Sequence, residues 1–529
     1  MRLIDVYPIR GMFTPGEPVR FVAEVEAESA VAASLRLSIT HLASTVATLI
    51  HPLRLAPGLQ KVVLDWPAPS VAPRGYGAQA EVLDEAGRRL ASASTAFDVL
   101  PSWTAFPRYG FLTDFSPGRA DAASMVEALA RFHLNGLQFY DWQYRHERLL
   151  PPSTDYFDPL GRQLSLRVVG EFIEAAHTHG MAAMPYLAVY AASVEFWHAH
   201  PEWALYDAER RPIAFGQDFL GLMDPTPGGP WARHLLAECG RSLSALPFDG
   251  FHVDQYGDPK AAFDAAEQPV DLPAAFVGFV AALKAAHPRA AVLFNAVGNW
   301  PIEALVASPQ DFAYIEVWPP STAYRDVQRI VAGARAMSGG KPVVIALYLP
   351  ADRAANIRLA DALIFSGGGS RIEIGEGERL LADPYFPKHQ PLSPELKEAL
   401  RRYYDFAVRY GDLIGPGGGV STDPLVHTPP GVRAVSRSGH GWLTVCLINM
   451  TGLDGARWDE AHPNPVPLAD ISVRVAVGRP VHEVWWASPD RDQPELRPAA
   501  WESEAQSICA RLPYLDFWAI LAFQLDAPE

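Results

Sequence analysis

Residues 248–258 read FDGFHVDQYGD, and this stretch decides the fold class of the middle of the chain. A short apolar run leads to Asp254, after which polar residues and a glycine indicate a loop. Helical patterns flank the stretch at residues 231–243 and 273–286, so it is typical of one strand in a β–α–β unit.

Further apolar runs alternate with helical patterns from residue 108 to residue 375. The runs occupy residues 108–115, 136–142, 181–188, 291–295, 312–317, 342–348 and 371–375. The helical patterns include residues 120–132, 166–179 and 353–365, and a helix at residues 394–412 closes the region. Eight strands alternating with helices favour a (β/α)8 or TIM barrel over an open doubly wound sheet, although both folds produce this rhythm.

The segments on either side of this region contain short strand patterns and no amphipathic helix. They lie at residues 19–26, 34–41, 60–66, 77–83 and 95–100 on one side, and at 432–436, 442–449, 471–477, 481–486 and 516–524 on the other. Such spacing is typical of β-sandwiches. We therefore predict a multidomain chain: an N-terminal Ig-like β-sandwich at 1–104, a catalytic barrel at 105–414 and a C-terminal β-sandwich at 415–529.

The composition excludes several classes of protein. The 529 residues include 60 acidic and 44 basic side chains, which gives a formal charge of −16, and 57 aromatic residues (25 Phe, 18 Tyr and 14 Trp). A disordered chain would have few aromatic residues, and a nucleic-acid-binding protein would normally carry a basic excess. No run of roughly 18 apolar residues is present, so we expect no membrane span. Because the chain is acidic, we also expect no nucleic-acid partner.

The cysteines and the N-terminus bear on the cell compartment. Cys239, Cys446 and Cys509 are few and far apart, which argues against a disulfide framework or a zinc cluster. The first residues lack the pattern of a secretory signal. We expect a cytoplasmic protein, or a secreted one if a signal has been trimmed. Close histidine pairs at 177/179 and 198/200 have no third ligand, so we expect neither a metal nor another cofactor.

Acidic and aromatic residues gather at the predicted strand ends, which is where barrel enzymes place their active sites. Hardly any basic residue accompanies them, so a phosphate site is not favoured. Carboxylates beside aromatic faces suit a neutral polyhydroxylated ligand, that is, a sugar. The candidate substrate-binding residues are Asp114, Asp141, Trp142, Tyr186, Gln255, Asn295, Trp318 and Glu373.

Glycoside cleavage requires two carboxyl groups, one ionised and one protonated. Asp254 ends the fourth predicted strand, and Glu316 ends the sixth. A single acid at a strand end is about as often a salt-bridged structural residue as a catalytic one. Several acids at one rim make that interpretation less favourable, and we interpret Asp254 and Glu316 as a catalytic pair.

Several motifs resemble glycoside hydrolase family 66, which comprises dextranases and cycloisomaltooligosaccharide glucanotransferases. They read RYGFLTDF at 108–115, QFYDWQYRH at 138–146, FDGFHVDQ at 248–255, FNAVG at 294–298, YIEVW at 314–318, IEIG at 372–375 and YFP at 385–387. The resemblance extends over the whole barrel and the sandwich–barrel–sandwich layout. It implies a retaining enzyme in which Asp254 is the nucleophile, Glu316 is the acid/base and Asp141 binds sugar hydroxyls.

The resemblance also implies the reaction. The glucanotransferases carry a carbohydrate-binding module after strand 7, for which this chain has no room between Tyr348 and Asp352. We therefore expect endo-acting hydrolysis of α-1,6-linkages in dextran or, inside a cell, in isomaltooligosaccharides. The alternatives are a transglycosylase that forms cyclic or elongated isomaltooligosaccharides, a non-catalytic glucan-binding protein, and a glycosidase for another linkage.

Overall fold

A large curled sheet forms the middle of the chain. The computed structural model describes residues 1–67, 69–384, 388–420, 425–453, 455–504 and 507–525. Within these ranges, successive parallel strands of the sheet are Tyr109–Leu112, Gly136–Phe139, Ala182–Ala188, Gly250–Asp254, Ala291–Val297, Ala313–Glu316, Val343–Ala346 and Gly369–Ile372. Their spatial order follows the chain without the reversal that a doubly wound sheet would have.

The segment that contains the eighth strand pairs with both the seventh strand and the first. Gly369–Ile372 is parallel to the seventh strand. Gly375, in the short strand Ile374–Gly375 that follows, pairs in parallel with Phe111 of the first strand. Antiparallel strands Arg379–Leu381 and His389–Gln390 extend this edge. The motif at 385–387 lies outside the described residues.

Helices follow the strands of the curled sheet. They span Ala122–Ala130, Leu166–Thr178, Val194–Ala199, Pro230–Ala245, Leu272–Ala286, Ile302–Val306, Tyr324–Met337, Ala354–Ser366, Pro394–Arg409 and Gly411–Ile414. One apolar cluster, which includes Phe111, Leu293 and Ile372, fills the inner face of the sheet. A larger cluster lies between the strands and the helices. Both faces are therefore buried, which explains why these strands are apolar along their length.

The N-terminal segment forms sheets that pack around their own core. One contains Arg2–Pro8, Val19–Ala27 and Gly58–Trp66, and another contains Val31–His41, Ser44–Leu55, Arg74–Leu83 and Arg89–Val99. The strands at 2–8 and 44–55 were not predicted. Most side chains of Ser44–Leu55 are exposed, so the strand lacks the alternation of apolar and polar residues that reveals a half-buried strand.

The C-terminal segment also forms facing sheets with a separate core. One contains Gly419–Val420, Val432–Gly439, Trp442–Asn449, Trp518–Leu525, Val481–Ala487 and Arg497–Pro498. The other contains Val426–His427, Leu468–Ala476, Ser507–Leu515 and Ala500–Glu504. Element types change between Val99 and Tyr109 and again after Ile414. The domain limits at 104 and 414 stay predictions.

Buried charges join the N-terminal sheets to the curled sheet. The guanidinium of Arg108, which has no exposed surface, donates to both carboxylate oxygens of Asp98 at 2.7 and 3.0 Å. It also donates to the backbone carbonyls of His133 and Gly11. Asp98 and Gly11 both belong to the N-terminal segment, whereas Arg108 directly precedes the first strand of the curled sheet. The N-terminal segment therefore supplies the partners of a charge buried at the start of that strand. No described helix is long and apolar enough to cross a membrane.

Candidate active site

A cleft of about 610 Å³ opens at the carboxyl ends of the parallel strands. Loops that follow the strands form its walls, as expected for the functional face of a parallel αβ sheet. Of the residues predicted for the site, the cleft is lined by Asp141, Tyr186, Asp254, Gln255, Asn295, Glu316 and Trp318.

Asp254 and Glu316 are held together by one side-chain amide. Asp254 ends the fourth strand, Glu316 ends the sixth, and Asn295 lies on the fifth strand between them. The Nδ2 of Asn295 donates to Oδ1 of Asp254 at 2.9 Å and to Oε2 of Glu316 at 2.9 Å. These oxygens are therefore no more than twice 2.9 Å apart. The N–H bonds of an amide diverge by about 120°, which gives a separation of about 5 Å.

Burial changes the acidity of both carboxyl groups. It raises the pKa of Asp254 to about 6. Burial, followed by the neighbouring charge of Asp254, raises the pKa of Glu316 to about 7. Both effects penalise the charged form, and the hydrogen bonds from Asn295 oppose them only in part. Between pH 6 and pH 7 the arrangement therefore favours an ionised Asp254 beside a protonated Glu316.

Further hydrogen bonds orient the Asp254 carboxylate. The hydroxyl of Tyr186 donates to Oδ2 at 2.9 Å, and the backbone N–H of Gln255 donates to Oδ1 at 2.9 Å. The side chain of Gln255 is engaged elsewhere: its Nε2 donates to the carbonyl of Trp300, and its Oε1 accepts from the N–H of Gly257. Gln255 thus fixes the loop after the fourth strand.

Asp141 enters the cleft from a sharp turn after the second strand. Its φ of +46° lies in the left-handed region, which a side-chain-bearing residue occupies at a cost. Burial raises the pKa of its carboxyl to about 7, and Arg162 partly opposes the change. Arg162 also donates to the Asp141 carbonyl at 3.2 Å, which stabilises the turn.

Aromatic and polar residues that the sequence did not single out complete the cleft. Tyr140 stacks on Tyr186, with ring centroids 6.4 Å apart, and Tyr348 lies 5.9 Å from Trp318. His252 contributes to the floor, where burial lowers its pKa to about 3 and keeps it neutral. His252 and Tyr314 were within reach of sequence reasoning, because each precedes a predicted catalytic acid by two residues and so shares its face of the strand.

Trp142 and Asp114 do not line the cleft, contrary to the prediction. Trp142 has no exposed surface; its indole donates to the carbonyl of Tyr186 at 3.3 Å, and its ring packs on Phe248 with centroids 4.8 Å apart. Asp114 is exposed, and its Oδ1 accepts from the N–H of Ser116 at 2.9 Å. Both lie beyond the ends of their strands, where a turn decides the direction of the side chain.

The placement of Glu373 in the cleft was also wrong. Ile372 faces the inner apolar cluster, whereas Glu373 is fully buried and pairs with Arg371. Arg371 also binds Asp361 of the preceding helix at 2.7 Å. Because neighbouring residues of a strand point to opposite faces, the inward position of Ile372 directs Glu373 to the helix side. Burial raises the pKa of Glu373.

No cluster of three His, Cys, Asp or Glu side chains suited to a metal ion lies among the residues that the structure describes. The carboxyl groups of the cleft can themselves supply proton transfer and nucleophilic attack.

Comparisons with solved structures concern the fold. A crystal structure of a Paenibacillus sp. cycloisomaltooligosaccharide glucanotransferase complexed with cycloisomaltoheptaose superposes with a TM-score of 0.90, covering 98% of this chain and 99% of that one at 21% identity. A noncanonic maltogenic α-amylase from Thermotoga neapolitana gives 0.52 at 13% identity, over 80% and 99% of the chains. At these identities the likeness shows the architecture alone.

Sequence comparisons identify the family. A cycloisomaltooligosaccharide glucanotransferase of Niallia circulans is 30% identical over an alignment of 373 residues, which covers 65% of this chain and 38% of the relative. A second one from the same organism is 22% identical, over 98% and 72%. A Streptococcus salivarius dextranase is 21% identical, over 76% and 60%. The model of glycosyl hydrolase family 66 matches residues 10–522. The chain belongs to glycosyl hydrolase family 66.

Proposed function

We propose that the protein is a retaining, endo-acting glycoside hydrolase that cleaves α-1,6-glucosidic linkages in dextran or isomaltooligosaccharides. The observation that carries the proposal is the Asn295 amide that joins Asp254 to Glu316. Family membership supports glycoside chemistry. The linkage rests on the relatives, which are named dextranase and cycloisomaltooligosaccharide glucanotransferase.

The separation of the carboxyl groups supports retention. Retaining glycosidases place the two groups roughly 5–5.5 Å apart, whereas inverting enzymes leave roughly 6.5–9.5 Å for a water molecule. The upper limit of twice 2.9 Å between the bridged oxygens agrees with the shorter range.

The proposed reaction has two steps. Asp254 attacks the anomeric carbon while Glu316 protonates the departing O6, so the glycosidic bond breaks as a glucosyl ester forms. Glu316, now ionised, then removes a proton from water. The resulting hydroxide attacks the anomeric carbon, releases Asp254 as a carboxylate and gives an α-configured product. The order of the two pKa values, with Glu316 above Asp254, supports this division of roles.

We also propose that the curled sheet is a closed (β/α)8 barrel between two β-sandwiches. The double pairing of residues 369–375, with the seventh strand and with the first, supports closure. The separate apolar cores of the terminal segments support domains at 1–104, 105–414 and 415–529.

The second candidate is a transglycosylase that forms cyclic or elongated isomaltooligosaccharides, which the names of two relatives favour. Hydrolysis is preferred because only residues 347–353 separate the seventh strand from its helix. In addition, the alignment with the second N. circulans relative is 697 positions long. That relative therefore contains residues which this 529-residue chain lacks. A non-catalytic glucan-binding protein is disfavoured by the intact carboxyl pair.

The test uses a panel of α-glucans that differ in linkage. Wild-type protein should release reducing ends from dextran, and NMR should detect the α-anomer first. Asp254→Asn and Glu316→Gln should each lose at least about 100-fold in kcat, because each lacks one half of the acid–nucleophile pair. Asp155→Asn, which changes an exposed acid outside the cleft, is the matched control and should keep its activity. Near-normal turnover by Asp254→Asn, or cleavage of only α-1,4-linked glucans, would contradict the proposal.

A further inference from the structure

A strained hairpin borders the cleft. Strand Ala214–Phe215 turns back into Leu220–Leu222, with Phe215 paired to Leu220. Between them, Gly216, Gln217 and Asp218 have φ values of +64°, +55° and +64°. Three successive left-handed residues are unusual, because this conformation is disfavoured for residues that carry a side chain.

The turn determines where Phe219 stands. The N–H of Phe219 donates to the carbonyl of Phe215 at 3.0 Å, which closes the turn. Phe219 lines the cleft and is nevertheless 38% exposed, so part of its apolar side chain stays accessible. Strain of this kind persists where the surroundings fix it, and it concentrates at ligand-binding segments.

The base of the hairpin is firmly anchored. A Cβ atom at Gly221 would lie 2.0 Å from Cγ of Trp197, so the strand packs directly on that indole and needs glycine here. Strand Ala191–Ala192 pairs with Leu220–Leu222 on the other side. The position of Phe219 is therefore set by the packing of the strand that directly follows the turn.

Aromatic side chains connect the hairpin to the loop after the fourth strand. Phe215 contacts Tyr190 edge-on at 5.8 Å, and Tyr190 contacts Tyr256 at 5.2 Å. Tyr256 follows Asp254 by two residues. These three rings and Phe219 all line the cleft. A phenyl ring offers no hydrogen bond, so the ligand group that suits it is the apolar face of a pyranose ring.

We propose that Phe219, held by the left-handed turn, is a stacking platform for a glucose unit remote from the scissile bond and sets the preference of the enzyme for longer chains. This inference rests on the proposed function. It predicts that Phe219 contributes only when the substrate is long enough to reach it, and that chemistry at the carboxyl pair does not depend on it.

The test measures kcat/KM on a series of isomaltooligosaccharides of increasing length and on dextran. Phe219→Ala should match wild type on short substrates and lose about 3- to 10-fold once the chain reaches the platform. Phe219→Tyr, which keeps the aromatic face, should restore the wild-type profile. Phe157→Ala removes a Phe that is 58% exposed and lies outside the cleft, and it should change nothing.

The outcomes separate the two proposals. If wild type is active and Phe219→Ala loses the same factor at every length, or loses nothing on the longest chains, the role of Phe219 is refuted while the proposed function stands. If wild type cleaves no α-1,6-glucan, the proposed function fails; calorimetric titration with the same oligosaccharides then tests Phe219 by binding. If long chains bind more tightly than short ones and Phe219→Ala does not weaken that binding, the platform is refuted. The platform is also refuted if none of the oligosaccharides binds.

Discussion

The hydroxyl of Tyr186 lies 2.9 Å from Oδ2 of Asp254 and donates a hydrogen bond to it. This bond favours the ionised carboxylate and lowers the pKa of Asp254, against the larger effect of burial. Tyr186→Phe should therefore raise the pKa of Asp254 above its value of about 6. The acidic limb of the kcat/KM profile against pH should move upward, and kcat should fall by about 10-fold. An unchanged acidic limb would show that the hydroxyl does not act on Asp254.

Replacement of Asn295 should affect both carboxyl groups. Asn295→Ala removes the hydrogen bonds that lower the pKa of Asp254 and of Glu316 and that fix their separation. We expect a loss of about 100-fold in kcat, with both limbs of the pH profile shifted upward. Asn356→Ala, which removes a buried amide next to the C-terminal sheets, should reduce stability without moving either limb. Wild-type limbs in Asn295→Ala would contradict the bridging role.

The pH dependence of activity should be a narrow bell. Activity requires an ionised Asp254 and a protonated Glu316, whose pKa values are raised to about 6 and about 7. The pH optimum of kcat/KM should therefore lie between these two pKa values, and its two limbs belong to the Asp254–Glu316 pair as a whole. A broad plateau from pH 5 to pH 9 in kcat/KM would exclude Glu316 as the acid.

The same carboxyl groups should make the fold less stable as the pH rises. The pKa of Glu316 is raised from 4.5 to about 7, so the folded state holds a proton that the unfolded state has released. The stability associated with that proton is present below pH 4.5 and is lost as the pH rises through 7. Glu316→Gln should thus be more stable than wild type at pH 8, by up to about 3 kcal/mol, and equal to it at pH 4. Thermal unfolding at both pH values provides the measurement; a variant less stable at pH 8 would contradict it.

The buried ion pair between Arg108 and Asp98 should be important for stability. Arg108→Ala would leave the Asp98 carboxylate buried without its partner, at a cost of roughly 3–5 kcal/mol. Arg20→Ala is the control, because the Arg20–Asp65 pair spans the same 2.7 Å with both side chains half exposed, and solvent screening should make its contribution to stability much smaller. Urea unfolding of the two variants should show this difference; equal midpoints would argue against a structural role for the buried pair.

The sequence predicted the features that depend on burial and missed those that depend on local backbone geometry. The apolar runs of the curled sheet were all found, because strands buried on both faces contain few polar residues. Asp254, Asn295 and Glu316 were placed correctly since they end such strands or lie within them. The side of Trp142 could not be predicted, because it lies in a turn beyond the end of its strand. The side of Glu373 could not be predicted, because the sequence does not show that Ile372, its neighbour, is the residue that points inward.

The contacts of Arg108 also have a consequence for how such an enzyme can be divided. A gene fragment encoding residues 105–414 would begin just before a buried cation and would leave its counter-ion, Asp98, and the carbonyl of Gly11 on the discarded piece. Residues 105–414 should therefore not fold as well when they are separated from the N-terminal segment. Recombination that exchanges active sites between relatives should preserve this junction, and the N-terminal sheets should be inherited together with the strands that they complete.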